Sequence, residues 1–485
     1  MTRAGWIVTV LALALGAWAL WVLETARTGV QVTRVDVGQT PVTRYARADA
    51  DGPPVVVAHG FAGSRQIMQA YSLALARAGY EAYAFDFLGH GRNPVPMSGD
   101  VSDVSGTTQL LVDQTRAVLA AIGADSPVAL VGHSMATDIL VRVAESTEGA
   151  EPLVLISAFS QAISPDAPDQ TLLVAGQWEP GLREFALRMA RQVDAETAGD
   201  ETVSGNGITR RMVTAPAADH VAILHSRVAL AETVAWLDRA YGRTSDVSIP
   251  RTGWALLALL AALVALSLPL ARQLPDRAIP PSPLRTGPFA LAVILPALVA
   301  PLLAVPLNPK ALPVLVADYL ALHLCLYGLV QLAILWRLGR RPGALMPLAA
   351  LGLLIWGLGV FGFALDRYGA NFWPGAGRGW IIAVLVLGAI PFGLGDATLA
   401  HGSPVWQKIV ARIGFFASLG LAVVLDFQGL FFVLMIVPVI LLFFLVFGTM
   451  GRFVATRAGA TAPGLALGVI LGWALAVSFP LFTAG

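Results

Sequence analysis

A serine, a histidine and a carboxylate can together attack a carbonyl, and this sequence offers such a set. Ser134 lies in Gly132-His133-Ser134-Met135-Ala136, directly after the apolar run Val128-Ala129-Leu130-Val131. Helical periodicity follows it, so Ser134 is expected at a strand–turn–helix junction with its hydroxyl exposed. Small residues two positions either side let strand and helix pack closely there, with Ala136 standing where Gly is the commoner choice. A serine hydroxyl is a poor nucleophile until a base takes its proton. That base in turn needs an acid to fix its tautomer and stabilise its charged form. The candidate bases are His220, in Ala217-Ala218-Asp219-His220-Val221, and His225 five residues later. The candidate acids are Glu179, which follows the apolar run Thr171–Ala175, Asp166 and Asp169 before that run, and Asp219 beside the base. A serine that merely caps an ordinary turn is the bland use of the same residues.

Between residues 31 and 253, short β-branched runs alternate with amphipathic segments. Strands are expected at 31–37, 41–47, 54–59, 81–87, 128–133, 152–158, 171–176 and 210–215. Helices are expected at 64–79, 106–123, 135–146, 181–193 and 221–242. Such alternation predicts an α/β domain with a mostly parallel sheet covered on both faces.

With these residues in place, the segment from about 45 to 242 resembles the α/β-hydrolase superfamily, particularly its lipase, esterase and lysophospholipase-like branch. Three features besides Gly132–Ala136 carry the resemblance. His59-Gly60-Phe61-Ala62 follows the strand Val55–Ala58, as the oxyanion loop of that family does. Asp86-Phe87-Leu88-Gly89-His90-Gly91-Arg92 is similar to the family's D-x-x-G-H-G turn, and the chain order is Ser, acid, His. The resemblance implies Ser134 as nucleophile and His220 as base on a loop before the last helix, with His225 one turn into that helix. It implies Glu179 as acid, where Asp is the usual residue, with Asp166 and Asp169 left as solvated loop residues. It assigns the oxyanion donors to the backbone N–H groups of Phe61 and Met135, the latter helped by the start of a helix. His59, His90 and His133 would be structural residues of turns. Only about a dozen residues, Ser160 to Thr171, stand where many relatives insert a helical cap, so a large cap is not expected and something else must cover the site.

The whole chain is unlike a soluble protein. Of its 485 residues 56% are hydrophobic and 13% charged, with a mean hydropathy of +0.69, against about 25% charged in ordinary globular domains. Residues 1–253 hold 19 Lys and Arg and 26 Asp and Glu, whereas residues 254–485 hold 13 and 5. A net charge of +1 gives no reason to expect a nucleic-acid partner. Cys325 is the single cysteine, no Cys/His cluster has zinc spacing, and no metal or cofactor is expected.

Ala4–Leu23 is an uncharged apolar run long enough to cross a bilayer, without a good cleavage site after it, so residues 1–23 are expected to be an anchor. The 24–253 hydrolase domain comes next, and then a 254–485 membrane domain with spans near 254–271, 288–307, 311–336, 344–365, 380–399, 409–426, 429–449 and 463–483. Asp426, Gln428 and Gly429 alone separate the sixth and seventh of these. With the N-terminus inside, eleven positive charges fall in inner segments and Lys310, Arg367 and Arg378 in outer ones, which places the hydrolase domain outside the cytoplasm. The Arg-rich, Lys-poor composition suits a GC-rich bacterial genome, so an inner membrane with the domain in the periplasm is expected.

Intramembrane polar groups are Asp318, His323, Gln331, Asp366, Asp396 and Asp426, with helix–helix hydrogen bonding the bland role and a relay the sharper one. The outer loop Asp366–Arg378 carries Tyr368, Phe372 and Trp373, expected at headgroup level either as an interfacial belt or as a surface presenting lipid to Ser134. The expected function is hydrolysis of carboxylic esters, lipid-like and drawn from the bilayer. An amidase, peptidase or acyltransferase using the same residues, or a scaffold or transporter with a hydrolase-like binding module, are the alternatives. Eukaryotic GPI inositol-deacylases have a similar layout of anchor, lipase-like domain and many spans.

Overall fold

The computed structural model describes residues 3–98, 104–123 and 127–483. A long apolar helix, α1 (Arg3–Arg27), leads into nine strands: β1 (Val30–Val37), β2 (Thr40–Arg47), β3 (Pro54–Ala58), β4 (Glu81–Phe85), β5 (Ala129–His133), β6 (Leu153–Ile156), β7 (Gln170–Gly176), β8 (Thr202–Gly205) and β9 (Ile208–Ala215). They form one sheet in the order β1-β2-β4-β3-β5-β6-β7-β9-β8. The six central strands from β4 to β9 run parallel, while β1, β2 and β8 are antiparallel additions at the edges.

The parallel strands are apolar on both sides because helices cover both faces. Val55, Val57, Val131 and Val174 point to the face packed by α2 (Gln69–Arg77) and α6 (Arg227–Ala240). Val56, Leu130, Leu155 and Leu173 point the other way, toward α3 (Gln109–Ile122), α4 (Ala136–Ser146) and α5 (Pro180–Arg191). The expected strands are all present. Sequence reading missed β8, whose signal was Asn206-Gly207: both have positive φ, 50° and 87°, as a tight hairpin turn to β9 requires. No helix stands between β6 and β7, so the domain has no helical cap there.

The C-terminal region is all helical: α7 (Thr252–Ala271), α8 (Thr286–Leu307), α9 (Ala317–Arg337), α10 (Pro347–Leu354) continued through a π-helical stretch Ile355–Phe361 into α11 (Gly362–Tyr368), α12 (Gly379–Ala400), α13 (Val405–Leu425), the single turn α14 (Phe427–Leu430), α15 (Val433–Ala458) and α16 (Thr461–Ser478). Among the described residues nine helices are long and apolar enough to cross a membrane, α1 included and Pro347–Tyr368 counted as one. The break between α13 and α15 comes at Asp426, whose carboxylate accepts the Gly429 N–H at 2.9 Å and caps the turn. His323, fully buried, joins Tyr319 at 2.6 Å on its own helix and Ser418 of α13 at 3.2 Å, which is the helix–helix role.

Three sets of contacts hold the α/β domain against this bundle. The buried carboxylate of Asp86 pairs with Arg65 and accepts the Arg92 N–H at 3.0 Å, and Arg92 then reaches Asp366 at 2.6 Å and Asn371 at 3.1 Å. Gly89 (φ +70°) lies against residue 481, where a Cβ would come within 2.3 Å of the Leu481 carbonyl, so only glycine fits. The Gly89 carbonyl accepts from Arg378 at 2.8 Å, and Arg378 also binds the carbonyls of Ala476 and Phe479, both at 2.7 Å. On α1, Glu24 pairs with Arg367 at 2.8 Å and bonds Tyr368.

These contacts change the reading of the 366–378 loop. Tyr368 and Phe372 are buried inside the protein, with Phe372 stacked toward Phe447 at 6.5 Å and Trp373 edge-on to Trp473 at 5.7 Å. Asp366 folds the loop inward by accepting the N–H groups of Phe372 at 3.0 Å and Trp373 at 3.2 Å. The loop aromatics are therefore packing residues, not an exposed surface for lipid.

Candidate active site

Ser134 occupies the tight turn between β5 and α4 and has φ of +52°, a conformation that costs a non-glycine residue ~1–3 kcal/mol. The surroundings hold it there. Its N–H donates to Ile156 O at 2.9 Å, and its carbonyl accepts the Thr137 N–H at 2.9 Å and the Thr137 hydroxyl at 2.7 Å. A Cβ on Gly132 would lie 2.6 Å from Leu140 Cδ1 and 3.2 Å from Ala136 Cβ. A side chain at Gly132 would thus displace Leu140, while the Ala136 methyl is accommodated and fully buried.

The Ser134 hydroxyl faces His220 Nε2 at 2.9 Å, and His220 Nδ1 faces Glu179 Oε1 at 2.6 Å. Three residues far apart in sequence are so joined in one hydrogen-bonded chain at the C-terminal ends of β5, β7 and β9. The other Glu179 oxygen accepts from the Gly176 N–H at 2.7 Å and the Ser157 hydroxyl at 2.8 Å. Burial pushes this carboxyl up, but the bonds from His220, Gly176 and Ser157 outweigh it and hold it below the usual glutamate value. Ser157 is a site residue that sequence reading missed. It follows β6, is buried and has φ of +50°; a small polar residue ending an apolar strand was the available signal.

The rivals fall away for local reasons. Asp219 accepts the N–H groups of Val221 at 3.0 Å and Ala222 at 2.8 Å, so it caps the next turn and faces away from the imidazole. Asp166 is exposed, and Asp169 is tied through its N–H to Glu151. His225 is not within the last helix, as expected from sequence, but in the 3₁₀ turn Ala222–His225 before it, against Gly253 at the start of α7. The Ser226 cap on Ala229 starts α6 later than the periodicity implied.

His59, His90 and His133 are buried, and burial lowers them to about 4, about 3 and about 4, so all three are neutral near pH 7. His59 donates through Nδ1 to Gly60 O at 2.7 Å and accepts the Phe87 N–H at Nε2, 3.1 Å away. It thereby ties the Phe61 turn to the strand after it. His133 Nε2 meets the His220 carbonyl at 2.9 Å and fixes the backbone of the His220 loop. Among the described residues no acceptor meets the N–H of Phe61 or of Met135.

The mouth is bordered unequally. On one side the Phe61 ring meets Phe432, between α14 and α15, with centroids 5.5 Å apart. On the other, His220 keeps 47% of its side chain exposed. Next in sequence to Glu179 and His220, Trp178 (63%) and Val221 (60%) are apolar and exposed, as is Phe159 (59%), whose N–H donates to the Thr137 hydroxyl. No group of three or more metal-ligating side chains occurs among the described residues.

Residues 53–214 match the family model described as serine aminopeptidase, S33, an α/β-hydrolase family. The domain has the α/β-hydrolase fold. Solved structures similar to this hydrolase include a Thermoplasma acidophilum protein described as a predicted CIB-like hydrolase, at 17% identity over 43% of this chain and 98% of that one, TM-score 0.34. A dienelactone hydrolase from Anabaena variabilis is 19% identical over 44% of this chain and 98% of its own, TM-score 0.33. An epoxide hydrolase from Vigna radiata is 23% identical over 29% of this chain and 43% of its own, TM-score 0.23. A comparison with curated proteins gives no match.

Proposed function

We propose that this hydrolase is a membrane-anchored serine esterase acting on lipid-like carboxylic esters. The observation that carries the reading is the Ser134–His220–Glu179 chain, with contacts of 2.9 and 2.6 Å. His220 Nε2 takes the Ser134 proton as Oγ bonds to the ester carbonyl carbon. The N–H groups of Phe61 and Met135 receive the oxyanion, and Glu179 stabilises the imidazolium. His220 then gives its proton to the departing alkoxide, leaving an acyl-serine. Water attacks that ester with His220 again as base, which releases the acid and restores Ser134.

Lipid-like substrates are favoured because the open side of the mouth exposes Phe159, Trp178 and Val221, an arrangement suited to acyl chains more than to charged soluble esters. The α1 and α7 helices tether the domain at both ends, which keeps the mouth near the bilayer. We place the domain on the extracytoplasmic side from the positive-charge bias of the loops, and reporter fusions after residues 250 and 340 should give opposite readings. A peptidase is the second reading, since the matched family model is described by serine aminopeptidases.

The test is turnover by the purified full-length protein on esters and aminoacyl amides of matched structure. Ester turnover rising with acyl length supports the proposal. Preference for the amides moves the assignment to the peptidase, and no turnover of either class overturns both.

A further inference from the structure

At the end of the bundle away from the hydrolase domain, α12, α13, α15 and α16 line an open cavity of about 280 Å³. Arg378, just before α12, bonds the hydrolase domain, whereas Asp396 and His401 lie near the other end of this 22-residue helix, ~30 Å away. Asp396, His401, Lys408, Arg412 and Arg452 line the cavity. Ala397 on α12, with Gly448 and Gly451 on α15, present no bulk and leave the space open.

The charges there do not balance. Arg412 is committed to Asp396, Nη2 to Oδ2 at 3.1 Å, both side chains being mostly buried. Its guanidinium also lies over the Phe444 ring at 4.7 Å, which fixes it in place. Among the described residues Asp396 is the one carboxylate lining the cavity, and Arg412 neutralises it. Lys408 has neither a hydrogen-bond acceptor nor a carboxylate partner among the described residues, and Arg412 and Arg452 lie close enough to repel it. Arg452 donates to the Thr449 hydroxyl at 2.6 Å and makes no ion pair among the described residues; the Asp396 charge that it feels is already paired with Arg412. Two positive charges thus stand in excess of Asp396, one on half-buried Lys408 and one on exposed Arg452, and they draw an anion to the cavity. Arg offers a planar fork and Lys a point charge, a pair suited to the oxygens of a phosphate.

We propose that this cavity binds a phosphate-bearing anion, held by Lys408 and Arg452 while Arg412 stays fixed on Asp396. A phospholipid headgroup and soluble inorganic phosphate share this chemistry. Basic pockets between membrane helices are sites for anionic headgroups, and the apolar walls at Pro463 and Leu467 would receive the glycerol and upper acyl carbons of a lipid.

The test uses delipidated full-length protein in neutral detergent, with native mass spectrometry and thermal midpoints as readouts. Phosphatidylglycerol should be retained about tenfold more than phosphatidylcholine of the same acyl chains, and the Lys408→Gln, Arg452→Gln variant should lose that preference. Competition by inorganic phosphate assigns the site to a soluble anion, and retention of phosphatidylglycerol undisturbed by phosphate assigns it to a lipid. Size-exclusion elution checks the fold of the variant. Should the double variant not fold, Lys408→Gln alone, which removes no hydrogen bond, replaces it. Equal retention of the two lipids by the wild type together with no effect of phosphate overturns the proposal. So does a folded variant that keeps the wild-type preference.

Discussion

Phe61 of the turn after β3 and Phe432 of the helical bundle meet with ring centroids 5.5 Å apart. The turn after β3, whose Gly60 lies against Ser134, therefore rests on the helical bundle and not on a cap. Phe432→Ala should lower kcat/KM for long-chain and short esters alike by ~3–10-fold, the range of an aromatic pair, because the contact supports the turn while acyl chains lie on the opposite, open side. A loss confined to long-chain esters would place the acyl chain at this seam instead.

The Asp86–Arg92–Asp366 relay ties the hydrolase domain to the bundle through a carboxylate with no exposure. Asp366→Asn should lower stability by ~1–3 kcal/mol, as expected for a partly buried bond to a charged group. Thermal unfolding of the solubilised protein measures this. Asp86→Asn should cost more, ~3–5 kcal/mol, because it strands the buried Arg65. The reverse ranking would show that the buried pair is not the keystone of the docking turn.

Glu179→Gln keeps the size of the side chain but leaves His220 without a carboxylate at Nδ1. Turnover should fall ~10³–10⁴-fold with the fold intact. Ser157→Ala removes one of the bonds to the other Glu179 oxygen, and a loss of ~1 kcal/mol, about fivefold in rate, is expected. Asp166→Asn and His225→Ala should stay close to wild type. A large defect from Asp166→Asn would move the acid assignment away from Glu179.

Much of this site was legible because local chemistry signals it. A serine between an apolar strand and a helix, with Gly132 two residues before it, specifies a turn by sterics alone. Glu179 and His220 each follow an apolar run that can end at the same edge of a parallel sheet. Ser157 was not legible, because its role depends on strand order bringing β6 beside β7. Phe432 was not legible either: nothing local marks which phenylalanine of an apolar segment will meet Phe61. The loop aromatics misled for a related reason. Tyr368, Phe372 and Trp373 read as an interfacial belt from composition, but the Asp366 carboxylate folds their loop back into the bundle.

Acid should destabilise the hydrolase domain before it protonates most carboxylates. His59, His90 and His133 bind protons near 6.5 when unfolded but only at about 4, about 3 and about 4 when folded. Between these values the unfolded chain holds more protons, so stability falls as pH falls, by up to ~1.4 kcal/mol per pH unit for each histidine. Glu179, held below its ordinary value, adds a loss of the same sign below about pH 4.5. Thermal midpoints taken from pH 7 down to 4.5 should decline steadily, and a flat profile would show that these histidines are not neutral and buried in solution.

The central claim is that Ser134 is a nucleophile activated by His220. Fluorophosphonate labelling of the full-length protein, read by mass spectrometry of its peptides, tests it most directly. One adduct is expected, on Ser134, absent from Ser134→Ala and reduced by orders of magnitude in His220→Ala. A folded wild-type protein that takes no label, or an adduct that persists in Ser134→Ala, would contradict it.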